Sequence, residues 1–371
     1  MNPSLLRFRP LAAAILCAVI APAAFAVTAT TDPVGFVKVS FQGSADSFSS
    51  IPFKRTPEYA GSIASVAGNT LTITGTPNFG NLVYTSPSQP KHYYILVTSG
   101  AKVGISYSID TNSTNTLTID PAGDTITSLA SSTFQVIPYD SLASLFPTGS
   151  GVVASPSHGL GARQTEILIP DNATAGTDLP AFKSYYYYSG AAGVGPGWRL
   201  SGVTGVLAND DVVFPDSHFV VRQNTASTSE VTYMGTVHMG PLATPVGTVA
   251  ANTDQDNSIA FPIPANLTLA QLTLYPSAFT GSSSHGLGSR QDEVLVWDNT
   301  VNPGLDKPAD RSYYYYTGAA GVGPGWRLSG VSGALANDTI VLTSTTSVKL
   351  RKKGSASPST VIWTVTPPYA P

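Results

Sequence analysis

Two copies of a short polar segment contain the side chains that hydrolytic enzymes use. Each copy places Ser and His side by side before a Gly-Leu-Gly turn, with Arg and Glu close behind. The repeated polar residues are His158, Arg163 and Glu166 in the first copy and His285, Arg290 and Glu293 in the second. A nucleophile, a base and an orienting acid normally come from separate elements, whereas adjacent Ser and His in one turn do not readily face each other. We therefore expect an Arg-to-Glu or His-to-backbone hydrogen bond that fixes the turn, with a secreted hydrolase as the least favoured alternative.

Loop carboxylates and amides also recur in both halves of the chain. Asp171-Asn172 and Asp298-Asn299 occupy matching positions, and the oxygen atoms of such side chains are the ligands that calcium favours. Their spacing does not match an EF-hand loop, and Asp and Asn are ordinary turn residues. Neither His158 nor His285 has the neighbouring His, Glu or Cys residues of a zinc site. We predict no catalytic residue and no cofactor, with calcium left open.

Each half contains a run of four tyrosines followed by a Gly-Trp-Arg segment. Neighbouring side chains of a strand point to opposite faces, so each run must divide its tyrosines between two faces. One pair packs in a core, and the other either packs against a neighbouring layer or forms an exposed platform on which a sugar ring stacks; packing is the more common use of such residues. The candidate ligand-binding residues are Tyr185, Tyr187, Trp198, Arg199, Tyr313, Tyr315, Trp326 and Arg327.

These residues belong to a long internal duplication. Residues 184–203 and 312–331 are identical except that Ser189 is replaced by Thr317, and the flanking segments are similar but more divergent. The two copies begin 128 residues apart, which exceeds the period of about 20–50 residues found in solenoids and propellers. The sequence therefore predicts two folding modules rather than a stacked array.

Period-two alternation predicts that both modules, and the segment before them, are built from strands. Short alternating runs recur near residues 34–39, 61–66, 70–74, 93–98 and 116–119, separated by turn residues. Charged residues make up only 11% of the chain, so surface helices rich in Glu and Lys are not expected. We predict an all-β protein with very little helix: an antiparallel β domain over residues 27–133, β-sandwich or barrel-like repeat modules over 134–236 and 261–371, and a linker or inter-repeat strand over 237–260.

The first 26 residues have the pattern of a secretory signal peptide. Arg7 and Arg9 precede an apolar stretch, and Ala24-Phe25-Ala26 offers a small-x-small cleavage site. The formal charge of −3 disfavours nucleic-acid binding, and after signal cleavage no apolar run reaches the roughly 20 residues of a membrane span. We predict a protein that is secreted or held at the cell surface.

Several longer segments resemble a known family. These are DPVGFVKV from Asp32, AGSIASVAGNTLTITG from Ala60, HYYILVTSGAKVG from His92 and LASLF from Leu142, together with VLVWDN, the tyrosine run, GWR and AND in the second half. In these motifs the chain resembles an uncharacterised secreted verrucomicrobial paralogous family whose function is unassigned, and it carries that family's later module twice. The resemblance implies an exported bacterial β protein and transfers no catalytic residue or ligand.

Together these patterns predict an exported, non-enzymatic structural or adhesive protein of the cell surface or extracellular matrix. The alternative is a carbohydrate-binding protein that uses the duplicated Tyr/Trp platforms, where two linked modules would gain avidity. The predicted partners are therefore cell-envelope or matrix proteins, or a polysaccharide.

Overall fold

A computed structural model describes residues 33–80, 84, 92–191, 193–203, 206–319, 321–331, 334–343 and 348–370. The predicted signal peptide lies outside these residues. Strands make up 41% of the described residues and helix 5%, which confirms the all-β prediction.

The strands are β1 (Val34–Phe41), β2 (Ala45–Ser49), β3 (Tyr59–Ala67), β4 (Thr70–Ile73), β5 (Tyr93–Val97), β6 (Ser106–Asn112), β7 (Thr116–Ile119), β8 (Thr133–Pro138), β9 (Asp140–Ser141), β10 (Thr165–Ile169), β11 (Lys183–Tyr188), β12 (Gly197–Leu200), β13 (Val212–Val213), β14 (Phe219–Gln223), β15 (Ser229–Thr236), β16 (Leu242–Thr248), β17 (Gln255–Ile259), β18 (Leu267–Thr268), β19 (Glu293–Val296), β20 (Arg311–Tyr316), β21 (Gly325–Leu328), β22 (Ile340–Leu342), β23 (Val348–Lys352) and β24 (Ser359–Val365). The helical segments are α1 (Leu142–Leu145) and 3-10 turns at Thr127–Leu129, Pro147–Gly149, Leu160–Ala162 and Leu287–Ser289.

The short helix α1 begins one residue later than the sequence pattern indicates. Asp140 is a plausible N-cap by residue type, but Ser141 caps the helix, because its hydroxyl accepts the Ser144 N–H while Ser144 Oγ accepts the Ser141 N–H. Asn266 at the matching place in the second half is also a plausible N-cap by residue type, but Leu267–Thr268 pairs with β22 there instead of starting a helix. In the part of the chain that the structure describes, no helix has the length and apolar character needed to cross a bilayer.

Two five-stranded antiparallel sheets share one strand order. Sheet A runs β12-β11-β10-β14-β2, and sheet B runs β21-β20-β19-β23-β17. Their registers match as well, since Glu166 lies opposite Tyr186 in sheet A and Glu293 lies opposite Tyr314 in sheet B. A two-stranded ribbon accompanies each sheet, β1-β15 for sheet A and β16-β24 for sheet B.

A closed six-stranded barrel, in the order β3-β4-β7-β6-β5-β8, is inserted between β2 and β9. The strand pairing therefore divides the chain differently from the predicted boundaries. Strands β1 and β2, expected in the N-terminal domain, pair with β15 and β14, and residues 237–260, expected to form a linker or inter-repeat strand, supply β16 and β17 to the second half. Alternation within a segment identifies a strand but not its partner, because the partner is fixed by contacts distant in sequence.

The hydrophobic cores follow this pairing. One core lies between the inner face of sheet A, the β1-β15 ribbon and α1, and includes Phe41, Phe146, Ile167 and Val221. A second core fills the barrel. The third lies under sheet B and also contains Tyr94, Leu96 and Ile137 from the outside of the barrel. The barrel is thus inserted in the sequence of the first half, but its outer surface packs against the second half.

Candidate functional site

The tyrosine runs form strands whose two faces are both covered. Tyr185 and Trp198 lie in the core under sheet A, where the Tyr185 hydroxyl donates to Asp211 at 2.6 Å. Tyr186 and Tyr188 point to the opposite face, yet they are only 1% and 4% exposed. Tyr187 is half-buried beside Trp198. The second copy repeats this arrangement: Tyr313, Tyr314, Tyr316, Trp326 and Arg327 are buried, and Tyr315 is half-buried.

The exposed aromatic platform considered from the sequence is therefore not formed by these residues. The outer pair of each run does pack against another layer, which was the other alternative. That layer consists of two loops, the Ser-His-Gly-Leu-Gly turn and the Gly-rich loop between the Tyr and Trp strands. Neither loop has a sequence periodicity from which its folding back over the sheet could be predicted.

A histidine from the turn covers the outer tyrosines. His158 Nδ1 lies 2.7 Å from the Tyr186 hydroxyl, and its ring centre lies 4.2 Å from that of Tyr188. His285 makes the same two contacts with Tyr314 and Tyr316, at 2.7 and 4.2 Å. The imidazole is therefore paired with a phenol, while the adjacent Ser157 hydroxyl accepts the Gly159 N–H. The Ser-His pair needed for hydrolysis is not assembled here.

An arginine closes the base of each turn. The Arg163 guanidinium lies over the Tyr186 ring at 4.8 Å and donates to Glu166 at 3.0 Å and to Ser201 at 2.6 Å. Its counterpart Arg290 lies 3.8 Å over Tyr314 and donates to Glu293 at 3.1 Å and to Ser329. The Arg-to-Glu bond predicted from the sequence is thus present in both copies. We call this unit, His158, Arg163, Glu166, Tyr186 and Tyr188 with its counterpart His285, Arg290, Glu293, Tyr314 and Tyr316, the His–Tyr–Arg cluster.

A second buried arginine holds the Gly-rich loop. Arg199 donates to the carbonyl oxygens of Gly195 at 2.8 Å and Trp198 at 3.3 Å, and Arg327 makes the matching bonds to Gly323 at 2.7 Å and Trp326 at 3.1 Å. Because both guanidinium groups are buried against carbonyl oxygens of their own loops, they are not presented to a ligand.

The two halves of the molecule are joined by reciprocal polar contacts, which we call the clasp. On sheet A, Asp46 accepts two bonds from Arg222, at 2.7 and 2.8 Å, and the backbone N–H of Asp306 from the other half at 2.9 Å. The Asp306 carboxylate also pairs with Arg222. The hydrogen bonds that Arg222 donates to Asp46, together with the negative charges of Asp46 and Asp306, raise the pKa of the Arg222 guanidinium, so it stays charged.

The other side of the clasp repeats these contacts with the roles of the two halves exchanged. Asp256 accepts two bonds from Arg351, at 2.7 and 3.0 Å, and the Asp178 N–H at 3.0 Å. Two asparagines complete the exchange: Asn299 pairs with both backbone groups of Phe48, and Asn172 pairs with both backbone groups of Ser258. Each half thus provides hydrogen-bond partners for backbone groups on the outer edge strand of the other half.

Between the two sides of the clasp lies an aromatic contact. Phe48 stacks on Trp297 with ring centres 4.7 Å apart, and the Lys349 ammonium lies 5.1 Å from the centre of the same indole ring. His218 packs edge-on against Phe48 and is 1% exposed. Burial, with Lys349 nearby, lowers the pKa of His218 to about 3. An open groove of about 640 Å³ adjoins this contact and is lined by both sheets, including Leu168, Val220 and Leu295.

The residues considered for calcium have other partners. Asp171 accepts the N–H groups of Ala173 and Thr174 and so shapes its own turn, while Asn172 belongs to the clasp. Within the described ranges, no group of three His, Cys, Asp or Glu side chains is placed to hold a metal ion.

Sequence reasoning missed the clasp. A signal was present in Arg222 and Arg351, which follow matching apolar residues in FVVRQ and VKLRK 129 positions apart. No such signal marked Asp46 and Asp256, because ADSFS and QDNSI share little beyond that aspartate. Comparison with family models, with curated proteins and with solved structures found no match to this chain.

Proposed function

We propose that this chain is an exported, non-enzymatic structural or adhesive protein of the cell surface or extracellular matrix, and that its two repeated turns are the adhesive surfaces. The observation that carries the proposal is that each turn has a fixed, buried base and an exposed apolar tip. Leu160 and Leu287, at the two tips, are 77% and 78% exposed.

The base of each turn is held by the same contacts in both copies. The His–Tyr–Arg cluster joins the turn to the sheet through a hydrogen bond, a ring contact and a mostly buried ion pair, and these contacts fix the base of the turn against the sheet. A side chain held in this way loses less conformational entropy on binding than one on a mobile loop.

A second exposed apolar residue follows the serine that each turn's arginine contacts. Arg163 donates to Ser201, and Val203, two residues later, is 43% exposed. Arg290 donates to Ser329, and Val331, two residues later, is 46% exposed. Single exposed apolar side chains are common on protein surfaces, and it is their recurrence at matching places in both halves that supports a shared contact role. Two such surfaces in one chain also favour repeated partners, because the second contact forms at high effective concentration.

Non-enzymatic function is supported by the use that the fold makes of its chemical groups. The imidazoles pair with tyrosines, the arginines pair with glutamates or loop carbonyls, and none of these sets leaves a nucleophile beside a base. Export is supported by the signal-like pattern of residues 1–26, and the partners that fit an apolar tip are proteins of the envelope or matrix.

Binding of the purified protein to cell-envelope and matrix fractions tests the proposal. We expect saturable binding that protease treatment of the fraction abolishes. The double variant Leu160→Ser/Leu287→Ser should bind at least about tenfold more weakly, and each single variant should fall between, because avidity needs both tips. Phe182→Ser is the matched control, since Phe182 is 64% exposed but lies outside the turns.

Two results would count against this assignment. Unchanged binding by the double variant would remove the tips from the adhesive surface. Binding that survives protease but is lost after polysaccharide digestion would instead favour the carbohydrate-binding alternative, on a surface other than the buried tyrosines.

A further inference from the structure

One lysine and one aspartate lie side by side in the interior of the second half. Asp292 immediately precedes β19 and Lys352 ends β23, and the register that pairs Glu293 with Arg351 places these two residues opposite each other on adjacent strands. The Lys352 ammonium contacts Asp292 Oδ2. Asp292 is 1% exposed and Lys352 is 9% exposed, so the pair is closed off from solvent.

The surroundings hold both groups in place. Lys352 Nζ donates to the Ala278 carbonyl oxygen at 2.6 Å and lies 5.2 Å from the centre of the Phe279 ring. On the carboxyl group, Oδ1 accepts the Lys353 N–H at 2.8 Å and Oδ2 accepts the Thr280 N–H at 2.7 Å. An amine, a carboxyl group and two hydrogen-bond donors on the carboxyl oxygens are therefore fixed within one apolar site.

We propose that Lys352 and Asp292 become joined by an intramolecular amide bond. The reacting form is the neutral pair, in which one ammonium proton has passed to the carboxylate. The Nζ lone pair attacks Asp292 Cγ, and the charge that develops on Oδ1 is stabilised by the Lys353 N–H. The bond from Cγ to Oδ2 then breaks, and Oδ2 leaves as water with the acid proton and one further proton from Nζ. The products are one amide and one water, and no oxidant or co-reactant is consumed.

The first half of the chain provides an internal comparison. At the equivalent place Thr165 Oγ1 donates to Gln223 Oε1 at 2.5 Å and accepts the Val153 N–H at 2.8 Å, just as Asp292 accepts the Thr280 N–H. Both sites thus have a backbone donor at the matching position, Val153 or Thr280, and one cross-strand side-chain pair, and the second site adds the Lys353 N–H as a further donor. The Thr165 hydroxyl and the Gln223 carboxamide include no amine that could form an amide bond of this kind. The cross-link is therefore expected only in the second half.

The mass of the intact, denatured protein tests this proposal directly. Amide formation removes one water, so the wild type should be about 18 Da lighter than its sequence predicts. Proteolysis should also release one branched peptide that contains both Lys352 and Asp292. The mass loss should be absent in Lys352→Arg, which keeps the positive charge but cannot form this amide, and in Asp292→Ala.

Lys307→Gln is the matched control. Lys307 is mostly buried and pairs with Asp310 at 3.1 Å, but Asp310 follows it in a loop and its carboxyl also accepts the Asp298 N–H. This variant should retain the mass loss. A wild-type mass equal to the sequence mass, or a branched peptide that lacks Lys352, would overturn the proposal even if a variant failed to fold, because the wild-type measurement stands alone.

Discussion

The clasp offers a test of how burial affects stability, because the two aspartates that contact Arg222 should contribute very different amounts to the free energy of unfolding. Asp46 is 7% exposed on its side chain, whereas Asp306 is 79% exposed, and both contact Arg222. Asp46→Asn keeps the size of the side chain but leaves at least one of its three donors, two from Arg222 and one from the Asp306 backbone, without an acceptor. Losing a charge-assisted bond and orphaning a mostly buried donor costs about 2–3 kcal/mol.

Asp306→Asn should cost less than about 1 kcal/mol, because exposed ion pairs contribute little. Asn also tolerates the left-handed backbone at this position, where φ is 52°. Asp256→Asn and Asp178→Asn repeat the comparison on the other side of the clasp and should reproduce both values.

The free energy of unfolding should be measured by urea titration, with tryptophan fluorescence as the probe, since Trp297 lies at the contact between the halves. The dependence of that free energy on urea should not change among the variants, so midpoint shifts report stability. Equal losses for Asp46→Asn and Asp306→Asn would refute the reasoning, because burial would then not decide the contribution of a clasp carboxylate.

Three further predictions concern single side chains. Folding lowers the pKa of His218 from 6.5 to about 3, so the unfolded chain binds more protons than the folded protein between these pH values. The free energy of unfolding should therefore drop by about 2–3 kcal/mol from pH 7 to pH 4.5. Urea titrations at both pH values should show that His218→Phe removes this part of the drop. Gly325 has φ of 147° and an added Cβ would lie 2.6 Å from Leu335, so Gly325→Ala should cost about 1–3 kcal/mol, whereas Gly323→Ala, with open space around it, should leave the melting temperature nearly unchanged. Tyr186→Phe should cost about 1 kcal/mol, and a double-mutant cycle with His158→Ala should show coupling between the two; additive losses would mean that their hydrogen bond contributes nothing.

Local alternation was enough to find strands but not their partners. The runs near residues 70–74 and 116–119 are β4 and β7, and the run at 34–39 lies in β1, as predicted. The predicted N-terminal β domain over residues 27–133 included β1, whereas β1 pairs with β15, roughly 200 residues later in the chain. Nothing in an eight-residue alternating segment specifies so distant a strand.

The division of the tyrosines between two faces followed from strand geometry alone. What could not be predicted was the cover on the outer face. Tyr186 and Tyr188 are buried by His158, whose turn has no hydrophobic periodicity, and the polar bonds that fix this turn depend on the three-dimensional placement of Arg163 and Ser201. The near identity of residues 184–203 and 312–331 indicated a constraint on this segment without showing whether that constraint came from a ligand or from packing.

The position of the two ribbons bears on how the molecule would respond to tension. Val34 begins β1 opposite the end of β15, and Val365 ends β24 opposite the start of β16. Since β15 and β16 are joined by residues 237–241, a pull on Val34 and Val365 acts at neighbouring ends of each ribbon. The hydrogen bonds of both ribbons then break one at a time, starting from the pulled ends. Sheets A and B and the clasp carry no load until the ribbons have separated. Under such a pull the protein would therefore lengthen first by releasing β1 and β24, while the two repeated turns on sheets A and B stay in place.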